Sequence, residues 1–301
     1  MTDGAPAGLT LWLAGSRPKT LPAAVVPVLV GTAAAWDGDV GDGGGIVWWR
    51  FGLAMVVSLA LQVGVNYAND YSDGVRGTDD DRVGPLRLVG SGLVEPRAVK
   101  AAAFGAFGVA AVAGLVLAVA TSWWLVVVGL ASILAAWFYT GGSNPYGYLG
   151  LGEVFVFVFF GLVASVGSTF VQTERVDGWP VLVAIPVGLV ATALLVTNNL
   201  RDIPTDRASG KNTLAVRLGD SRTRWMYLGM LATAAALVLA TAIGWRAEAA
   251  LGLIGFVAAI RPTRVVLAGA VGPALIPVLA DTGRVQLAMG AGLAIGLVAG
   301  A

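Results

Sequence analysis

Long runs of apolar residues, separated by short polar stretches, occupy most of this 301-residue sequence. Each run approaches the roughly 20 residues that an α-helix needs to cross the hydrocarbon of a membrane. The pattern predicts nine helices, at residues 9–36, 46–70, 98–120, 122–139, 150–172, 180–199, 223–244, 247–260 and 285–301. Residues 262–282 are predicted to form an additional interfacial or re-entrant piece. We therefore expect an all-α polytopic bundle, with a single integral-membrane domain over residues 1–301.

The composition agrees with a membrane-embedded chain. Hydrophobic residues make up 57% of it, charged residues make up 12%, and the mean hydropathy is +0.79, well outside the range of soluble domains. Neither histidine nor cysteine occurs, which excludes disulfides, thiolate or imidazole metal ligands, and imidazole bases. Any chemistry must then use carboxylates, amides, hydroxyls, Lys and Arg, or a metal ion that prefers oxygen ligands.

The basic residues predict the orientation in the membrane. If the N-terminus lies in the cytoplasm, only Arg50, Arg175 and Arg246 of the 19 Lys and Arg residues fall in loops on the other side. Such a bias is typical of cytoplasmic loops. We expect a multi-pass protein of the cell membrane with a cytoplasmic N-terminus and, because the helix count is odd, an external C-terminus. The basic residues form no stripe, so nucleic acid is not an expected partner.

Asparagine and aspartate recur at helical spacing where two apolar runs reach the predicted cytoplasmic side. They are Asn66, Asp70 and Asp73 on the second predicted helix (the first motif), and Asn198, Asp202 and Asp206 on the sixth (the second motif). Residues four apart share a helix face, and carboxylates near membrane depth are usually functional. Four carboxylates that meet without histidine repel one another unless a hard cation lies between them. Mg²⁺ prefers oxygen ligands and commonly bridges carboxylates to substrate phosphates, so we predict a magnesium site.

Several cations near the two motifs are suited to phosphate oxygens. They are Arg76, Arg82, Arg201, Arg207 and Lys211. Together with the carboxylates they predict a magnesium-diphosphate site at the membrane surface. The alternative is a set of solvated loop residues, which we favour for the run Asp79–Asp81. Asn66 and Asn198 argue for function, because an unsatisfied amide inside an apolar segment costs about 1–3 kcal/mol.

Two other groups of polar residues lie on the same predicted side. Arg17 and Lys19, at the start of the first helix, either anchor the chain in the cytoplasm or belong to the site. Around the last cytoplasmic loop, Arg261, Arg264 and Gln286 are typical of positioning residues or lipid contacts.

Aromatic residues gather in the loop between the fourth and fifth predicted helices, also on the side of the two motifs. Tyr139, Tyr146 and Tyr148 lie there together with Glu153. Such tyrosines either belong to the interfacial aromatic belt or flank an aromatic substrate or a cation. Tyr139 and Tyr146 are therefore candidate substrate-binding residues.

Four separated blocks of sequence carry a resemblance to a known family. In order, they are SRPKTLPAAVVPVLVG at 16–31, NDYSDGVRGTD at 69–79, YTGGSNPYGYLGLGE at 139–153 and NNLRDIPTDRASGKNTLAVRLG at 198–219. With the two motifs on a nine-helix chain, they resemble the UbiA-type intramembrane prenyltransferases. Within that family they look most like the 1,4-dihydroxy-2-naphthoate polyprenyltransferases of menaquinone synthesis. The resemblance spans nearly the whole chain.

The resemblance implies a helical bundle around a central cavity open to the cytoplasm. It also implies that Asp70, Asp73, Asp202 and Asp206 hold Mg²⁺ and are catalytic, with Asn66 and Asn198 and the neighbouring cations binding polyprenyl diphosphate. The allylic C–O bond would ionise, the cation would join an aromatic acid acceptor, and CO₂ would leave to give demethylmenaquinone. The prenyl tail would pass into membrane lipid.

Two details of the implied site stay open. Many family members carry a third acidic residue four positions after the first Asp, where this chain has Gly74, and either Asp73 or Asp79 could take that role. For the acceptor carboxylate, the resemblance suggests Arg17 or Lys19 as the binding residue.

Three alternative functions remain at this point. The aromatic acceptor could be 4-hydroxybenzoate or homogentisate. Asp70, Asp73 and Gly74 match the beginning of the CDP-alcohol phosphatidyltransferase signature, but Gly77 and Thr78 stand where its Ala-Arg is expected. A cation transporter could also use acidic residues, although the carboxylates here gather at one surface and form no mid-membrane pathway.

Overall fold

The computed structural model describes residues 8–37, 45–77 and 86–301, and all regular structure within these ranges is helical. The helices are α1 (Leu9–Gly15), α2 (Pro22–Ala34), α3 (Trp48–Arg76), α4 (Pro96–Ala120), α5 (Trp124–Phe138), α6 (Gly152–Thr173), α7 (Gly178–Ala208), α8 (Leu214–Leu218), α9 (Asp220–Gly244), α10 (Ala247–Val257), α11 (Ile260–Leu267) and α12 (Gly272–Ala299). Short 3₁₀ turns lie at Pro18–Thr20 and Tyr146–Leu149. The all-α architecture predicted from the apolar runs is confirmed.

In the described part of the chain, six helices are long and apolar enough to cross a membrane: α3, α4, α6, α7, α9 and α12. The pair α10 and α11 passes the same test together, although the chain bends by 47° between the two. α2, with 13 residues, and α5, with 15, are shorter apolar helices. These elements make the chain an integral membrane protein, whereas the count of nine spans and the orientation of its termini stay predictions.

The first predicted segment, residues 9–36, is wrong as a single helix. The structure divides it into α1, the 3₁₀ turn Pro18–Thr20 and α2. Pro18 and Pro22 have no backbone N–H to continue an α-helical ladder, and Arg17 has a left-handed backbone with φ 54°. The break turns the Arg17 side chain towards the interior of the bundle, where it lines a cavity.

The last predicted segment also begins too late. α12 starts at Gly272 rather than residue 285, and its first turn is 3₁₀ before the helix continues from Ile276. Residues 262–282, predicted as an interfacial or re-entrant piece, instead form most of α11 and the first turns of α12. Polar residues in these turns, such as Asp281 and Arg284, caused the error, because they interrupt the apolar run without ending the helix.

α7 is the central helix of the bundle, and most of its apolar length is buried. It packs against α2, α6, α9 and α12, with Val190 and Val196 in the main core beside Tyr227 and Met289. α3 packs along α4 on the other side of the molecule. The C-terminal turns of α3 and α7, which carry the two motifs, therefore lie at the same end of the bundle and face one cavity.

α2 and α6 approach each other closely at Gly31. A Cβ atom at this position would lie 2.0 Å from the carbonyl oxygen of Ser165, and the Thr169 hydroxyl donates to the Gly31 carbonyl at 2.6 Å. Small residues allow membrane helices to pack backbone to backbone in this way.

The Gly31→Ala variant is expected to lose stability, because α2 and α6 must separate to accept the methyl group. Overpacking of this kind costs about 1–3 kcal/mol, which a thermal unfolding curve of the purified protein in detergent detects. Gly105→Ala on α4 is the matched control, since no heavy atom lies within 4 Å of its added Cβ. An equal fall in the unfolding midpoint of both variants would contradict the close packing at Gly31.

Candidate active site

A cavity of about 970 Å³ runs through the bundle between α2 and the helices α3 to α7. Its polar end lies at the C-terminal turns of α3 and α7. The other end is walled by Val28, Ala54, Leu117 and Val171, which form an apolar cluster. The arrangement suits a ligand with a charged head and a long apolar tail.

Most of the predicted site residues line the polar end of this cavity. These are Arg17, Lys19, Asn66, Asp73, Tyr139, Tyr146, Asn198, Asp202, Asp206 and Lys211. Four other predicted site residues do not line it: Asp70, Arg76, Arg201 and Arg207. Asp79 and Arg82 lie outside the described residues.

Asp70 supports the backbone next to the cavity. Its side chain is fully buried, and its two carboxylate oxygens accept the backbone N–H groups of Leu88 at 2.8 Å and Val89 at 2.9 Å. This pairing holds the segment that follows residue 85 against α3. In the last turns of α3, from Asn66 onwards, the cavity-lining residues are instead Asn66, Asn69 and Asp73, so the i,i+4 pair that faces the cavity is Asn69 and Asp73. The role of Asp70 as a metal ligand stays a prediction.

Asp73 is a buried carboxylate surrounded by donors from distant parts of the chain. It accepts the Tyr148 hydroxyl at 2.8 Å and the Lys211 ammonium at 3.1 Å, both on Oδ1, and the Arg87 guanidinium lies 3.5 Å from Oδ2. Burial is the largest single influence on the pKa of Lys211 and lowers it, but the combined effect of Asp73, Tyr148 and Asp206 is larger, so the pKa is raised overall. Lys211 therefore carries its charge at neutral pH, 4.8 Å from the ring centroid of Tyr148.

The second motif presents its carboxylates from α7. Arg201 holds Asp202 in a two-pronged ion pair, with Nε at 2.6 Å from Oδ1 and Nη2 at 2.7 Å from Oδ2. The Thr213 hydroxyl lies 3.4 Å from Asp206 Oδ2. The third guanidinium nitrogen of Arg201, Nη1, is buried without a hydrogen-bond partner among the described residues. Arg201 can therefore donate a further hydrogen bond while it keeps its ion pair with Asp202.

The donors present fit Mg²⁺ in kind, because Asp73, Asp202 and Asp206 supply only oxygen and come from two facing helices. Among residues 8–37, 45–77 and 86–301, no group of three or more acidic side chains is close enough to hold a metal ion in this arrangement. Lys211, Arg87 and Arg201 neutralise Asp73 and Asp202 instead. Bringing a metal ion between the carboxylates would thus require these ion pairs to loosen.

Asn66 fixes the turn that carries Arg17. Its amide donates to the Ser16 carbonyl at 2.8 Å and to the Thr20 hydroxyl at 3.1 Å. Gln62, one turn earlier on α3, also donates to the Thr20 hydroxyl. The side-chain N–H groups of the buried Asn66 are thereby satisfied within the protein, and Arg17 is held at the cavity wall. The predicted role of Asn66 in substrate binding stays a prediction.

Arg17 has unused hydrogen-bonding capacity. Its Nε and Nη2 atoms are buried and have no hydrogen-bond partner among the described residues, and the side chain lines the cavity. Two buried N–H groups without a partner are costly, so the site favours an anion at this position.

The tyrosine cluster forms an aromatic wall on the side of α5 and α6. The Tyr139 and Tyr146 rings pack edge to face at 5.5 Å, and Tyr146 stacks on Phe155 at 3.9 Å. Burial raises the pKa of both tyrosines, so both are neutral at physiological pH. Beside them, Glu153 accepts a hydrogen bond from Asn199 at 2.9 Å, and its other oxygen is buried without a hydrogen-bond partner among the described residues.

Arg76 and Arg207 lie away from the cavity wall. The Arg76 guanidinium donates to the carbonyls of Thr140 and Gly142, which ties the loop after α5 to the end of α3. Arg207 is exposed near the end of α7. Their predicted role in substrate binding stays a prediction.

Sequence reasoning missed several polar residues of the cavity wall. Asn69, Arg87, Tyr148 and Asn199 line it but were not among the predicted site residues. The spacing of Asn69 and Asp73 repeats that of Asn66 and Asp70, so an i,i+4 signal was available for them. No such signal marks Arg87, because its ion pair with Asp73 depends on how the loop folds.

The chain belongs to the UbiA prenyltransferase family, whose model matches residues 24–298. This confirms the resemblance drawn from the four sequence blocks. A 1,4-dihydroxy-2-naphthoate octaprenyltransferase of Mycobacterium tuberculosis is 52% identical over 284 residues, which cover 93% of this chain and 94% of that protein. The protein of the same name from Escherichia coli is 41% identical over 71% of this chain and 70% of its own length.

Solved structures show the same fold at low sequence identity. The apo structure of a UbiA homologue from Aeropyrum pernix K1 has a TM-score of 0.69 and 16% identity, covering 92% of this chain and 97% of that chain. A UbiA homologue from Archaeoglobus fulgidus bound to DMAPP and Mg²⁺ has a TM-score of 0.65 and 14% identity, covering 96% of this chain and 99% of that chain.

Proposed function

We propose that this protein transfers a polyprenyl group from polyprenyl diphosphate to 1,4-dihydroxy-2-naphthoate, with loss of CO₂, to give demethylmenaquinone in its reduced form. The main observation is the single cavity that joins buried carboxylates and cations at one end to an apolar cluster at the other. The names of the curated relatives support the choice of acceptor.

The diphosphate would bind at the polar end, where Asp73, Asp202 and Asp206 face each other. Mg²⁺ bound there with these carboxylates would neutralise the diphosphate and make it a better leaving group. Lys211, which carries its charge beside Asp73, is placed to donate to the phosphate oxygens. Arg201 and Arg87 contribute positive charge beside the same cavity end.

In the reaction, the allylic C–O bond breaks and its electron pair leaves with the diphosphate. The electron-rich naphthoate ring then forms the new C–C bond. The bond to the carboxylate carbon breaks, its electrons return to the ring, and CO₂ leaves. No histidine base is needed for this sequence, because the departing carboxylate supplies the electrons that restore the aromatic ring.

Arg17 would bind the acceptor carboxylate, since its buried Nε and Nη2 atoms have no hydrogen-bond partner among the described residues. Tyr139 and Tyr146 would flank the ring as an aromatic wall. The prenyl tail would lie towards the apolar end. It would pass into lipid between α4 and α5, where Leu115 and Leu130 line the cavity and are 49% and 58% exposed.

We also propose the orientation predicted from the basic residues, with the polar end of the cavity and the N-terminus in the cytoplasm and the C-terminus outside. This places the charged end of the site where a water-soluble acid can reach it, and the apolar walls at the level of the bilayer. Membrane lipid would contact the outer surface.

The proposed activity can be tested in membranes that contain the protein, a labelled polyprenyl diphosphate, Mg²⁺ and either 1,4-dihydroxy-2-naphthoate or 4-hydroxybenzoate. We expect a lipid-soluble naphthoquinol and CO₂ with the first acceptor, and loss of both when EDTA removes Mg²⁺. A product from 4-hydroxybenzoate alone would overturn the acceptor. Release of CMP from a CDP-alcohol would instead indicate a phosphatidyltransferase.

The Arg17→Gln variant is expected to raise the KM for 1,4-dihydroxy-2-naphthoate by about tenfold or more, because one charge-assisted hydrogen bond to the carboxylate is lost. The KM for polyprenyl diphosphate should change much less, and steady-state kinetics with each substrate varied in turn measures both. Arg222→Gln, an exposed substitution at the start of α9, is the matched control. Equal increases in both KM values would argue against a specific contact with the acceptor.

A further inference from the structure

A groove outside the substrate cavity lies between α11 and α12, where the bend between α10 and α11 opens a space of about 580 Å³. Its walls combine charged and apolar side chains. The residues that matter here are Val257, Ile260, Arg261, Arg264, Asp281 and Arg284. None of them lines the substrate cavity. We call this space the arginine groove.

The arginine groove carries a net positive charge. Asp281 is buried and pairs with Arg284 at 2.7 Å and with Arg261 at 3.6 Å, so a single carboxylate serves two guanidinium groups. The Arg264 side chain has no hydrogen bond or ion pair within the part of the chain that the structure describes. Three cations around one anion leave a net charge of about +2, which favours an anionic ligand.

The groove lies at the level where the protein surface changes from apolar to charged. Val257 is 68% exposed and Ile260 is 50% exposed, as expected for side chains that face lipid. Arg224, from the first turns of α9, donates to the carbonyl of Val266, which places the C-terminal end of α11 at the same end of the bundle as the start of α9. That end also carries the polar mouth of the cavity, because a Cβ at Gly283 of α12 would lie 3.7 Å from the Lys19 carbonyl.

From this charge and position we propose that the arginine groove binds the head group of an anionic glycerophospholipid. The phosphodiester lies among the guanidinium groups of Arg261, Arg264 and Arg284, and the acyl chains follow the exposed surface of Val257 and Ile260. Basic pockets between membrane helices recognise anionic lipids in this way, because the guanidinium groups satisfy the phosphate while the chains stay in the bilayer. This proposal depends on the membrane location and not on the proposed activity.

The test measures lipid binding to the purified full-length protein in detergent, by native mass spectrometry with added phosphatidylglycerol or phosphatidylcholine. We expect phosphatidylglycerol to bind about tenfold more tightly than phosphatidylcholine, and Arg264→Gln to remove most of that preference. Arg264 is exposed and makes no ion pair with the described residues, so its replacement leaves the fold intact. Arg284→Gln is a second variant with the same expected loss, and Arg97→Gln, an exposed arginine at the start of α4, should keep the full preference.

Two results would overturn the proposal. The first is equal binding of the two lipids, or an unchanged preference in both groove variants. The second is displacement of phosphatidylglycerol by inorganic phosphate at the same concentration, which would indicate an anion site that does not use the lipid chains.

Discussion

Replacing Asp73 by asparagine is expected to lower kcat by about 10²–10³-fold and to weaken the apparent affinity for Mg²⁺. Asp73 is the carboxylate of the first motif that lines the cavity, opposite Asp202 and Asp206. An amide at this position loses the negative charge that attracts the metal, and it leaves Lys211 and Arg87 close together without their shared partner. The measurement is prenyl transfer in membranes as a function of Mg²⁺ concentration, normalised to folded protein.

Asp177→Asn provides the matched control, because Asp177 is exposed in the loop before α7, at the opposite end of the bundle from the two motifs. Its activity and Mg²⁺ dependence should equal those of the unmodified protein. If Asp73→Asn keeps full activity and the same Mg²⁺ dependence, Asp73 is not part of the proposed site.

Asp70→Asn is expected to lower both activity and thermal stability while leaving the Mg²⁺ concentration for half-maximal activity unchanged. An asparagine can accept only one of the two N–H groups of Leu88 and Val89 with its carbonyl oxygen, and an unsatisfied buried donor costs about 1–3 kcal/mol. The segment that carries Arg87 then loses its attachment to α3. Thermal unfolding and a Mg²⁺ titration of the same preparation separate this effect from metal binding.

The comparison of the two variants also decides between two registers of the first motif. If Asp70→Asn shifts the Mg²⁺ dependence as strongly as Asp73→Asn does, the ligand assignment made from sequence would hold and the pairing with the loop would be secondary. If only Asp73→Asn shifts it, the pair that faces the cavity, Asn69 and Asp73, is the functional one.

The apolar runs were sufficient to predict the fold class, because a chain in lipid must satisfy its backbone within each helix. They were insufficient for helix ends. Asp281 and Arg284 interrupt the hydropathy of α12, yet both lie in the helix, where an ion pair satisfies them. At the N-terminus, Pro18 and Pro22 mark the break between α1 and α2. The stretch between these two prolines is too short to divide the apolar run, so hydropathy alone predicts one helix there.

The two motifs were identifiable from sequence because amides and carboxylates at helical spacing are rare in apolar segments. The spacing alone does not distinguish Asn66 and Asp70 from Asn69 and Asp73, since the two pairs lie on neighbouring parts of one helix surface. The choice depends on which carboxylate meets the N–H groups of Leu88 and Val89, a contact between segments that no local pattern contains.

The cations illustrate a similar limit. Arg76 is the last residue of α3 and Lys211 follows the end of α7, and from the sequence both are equally suited to a diphosphate. In the folded chain Arg76 binds two loop carbonyls, whereas Lys211 pairs with Asp73 in the cavity. Which cation serves the site depends on the path of each loop, and the sequence does not specify that path.

One cavity joins a charged end to an apolar end, and this arrangement affects the direction in which acceptor and product move during the proposed reaction. In the proposed reaction the acceptor would enter from water because it is an anion, and the same carboxylate would be lost as CO₂ when the new bond forms. The product would then have no charge to hold it at Arg17 or to return it to the aqueous phase. Partition into the bilayer would remove the product from the site, so acceptor and product would pass through the protein in one direction only.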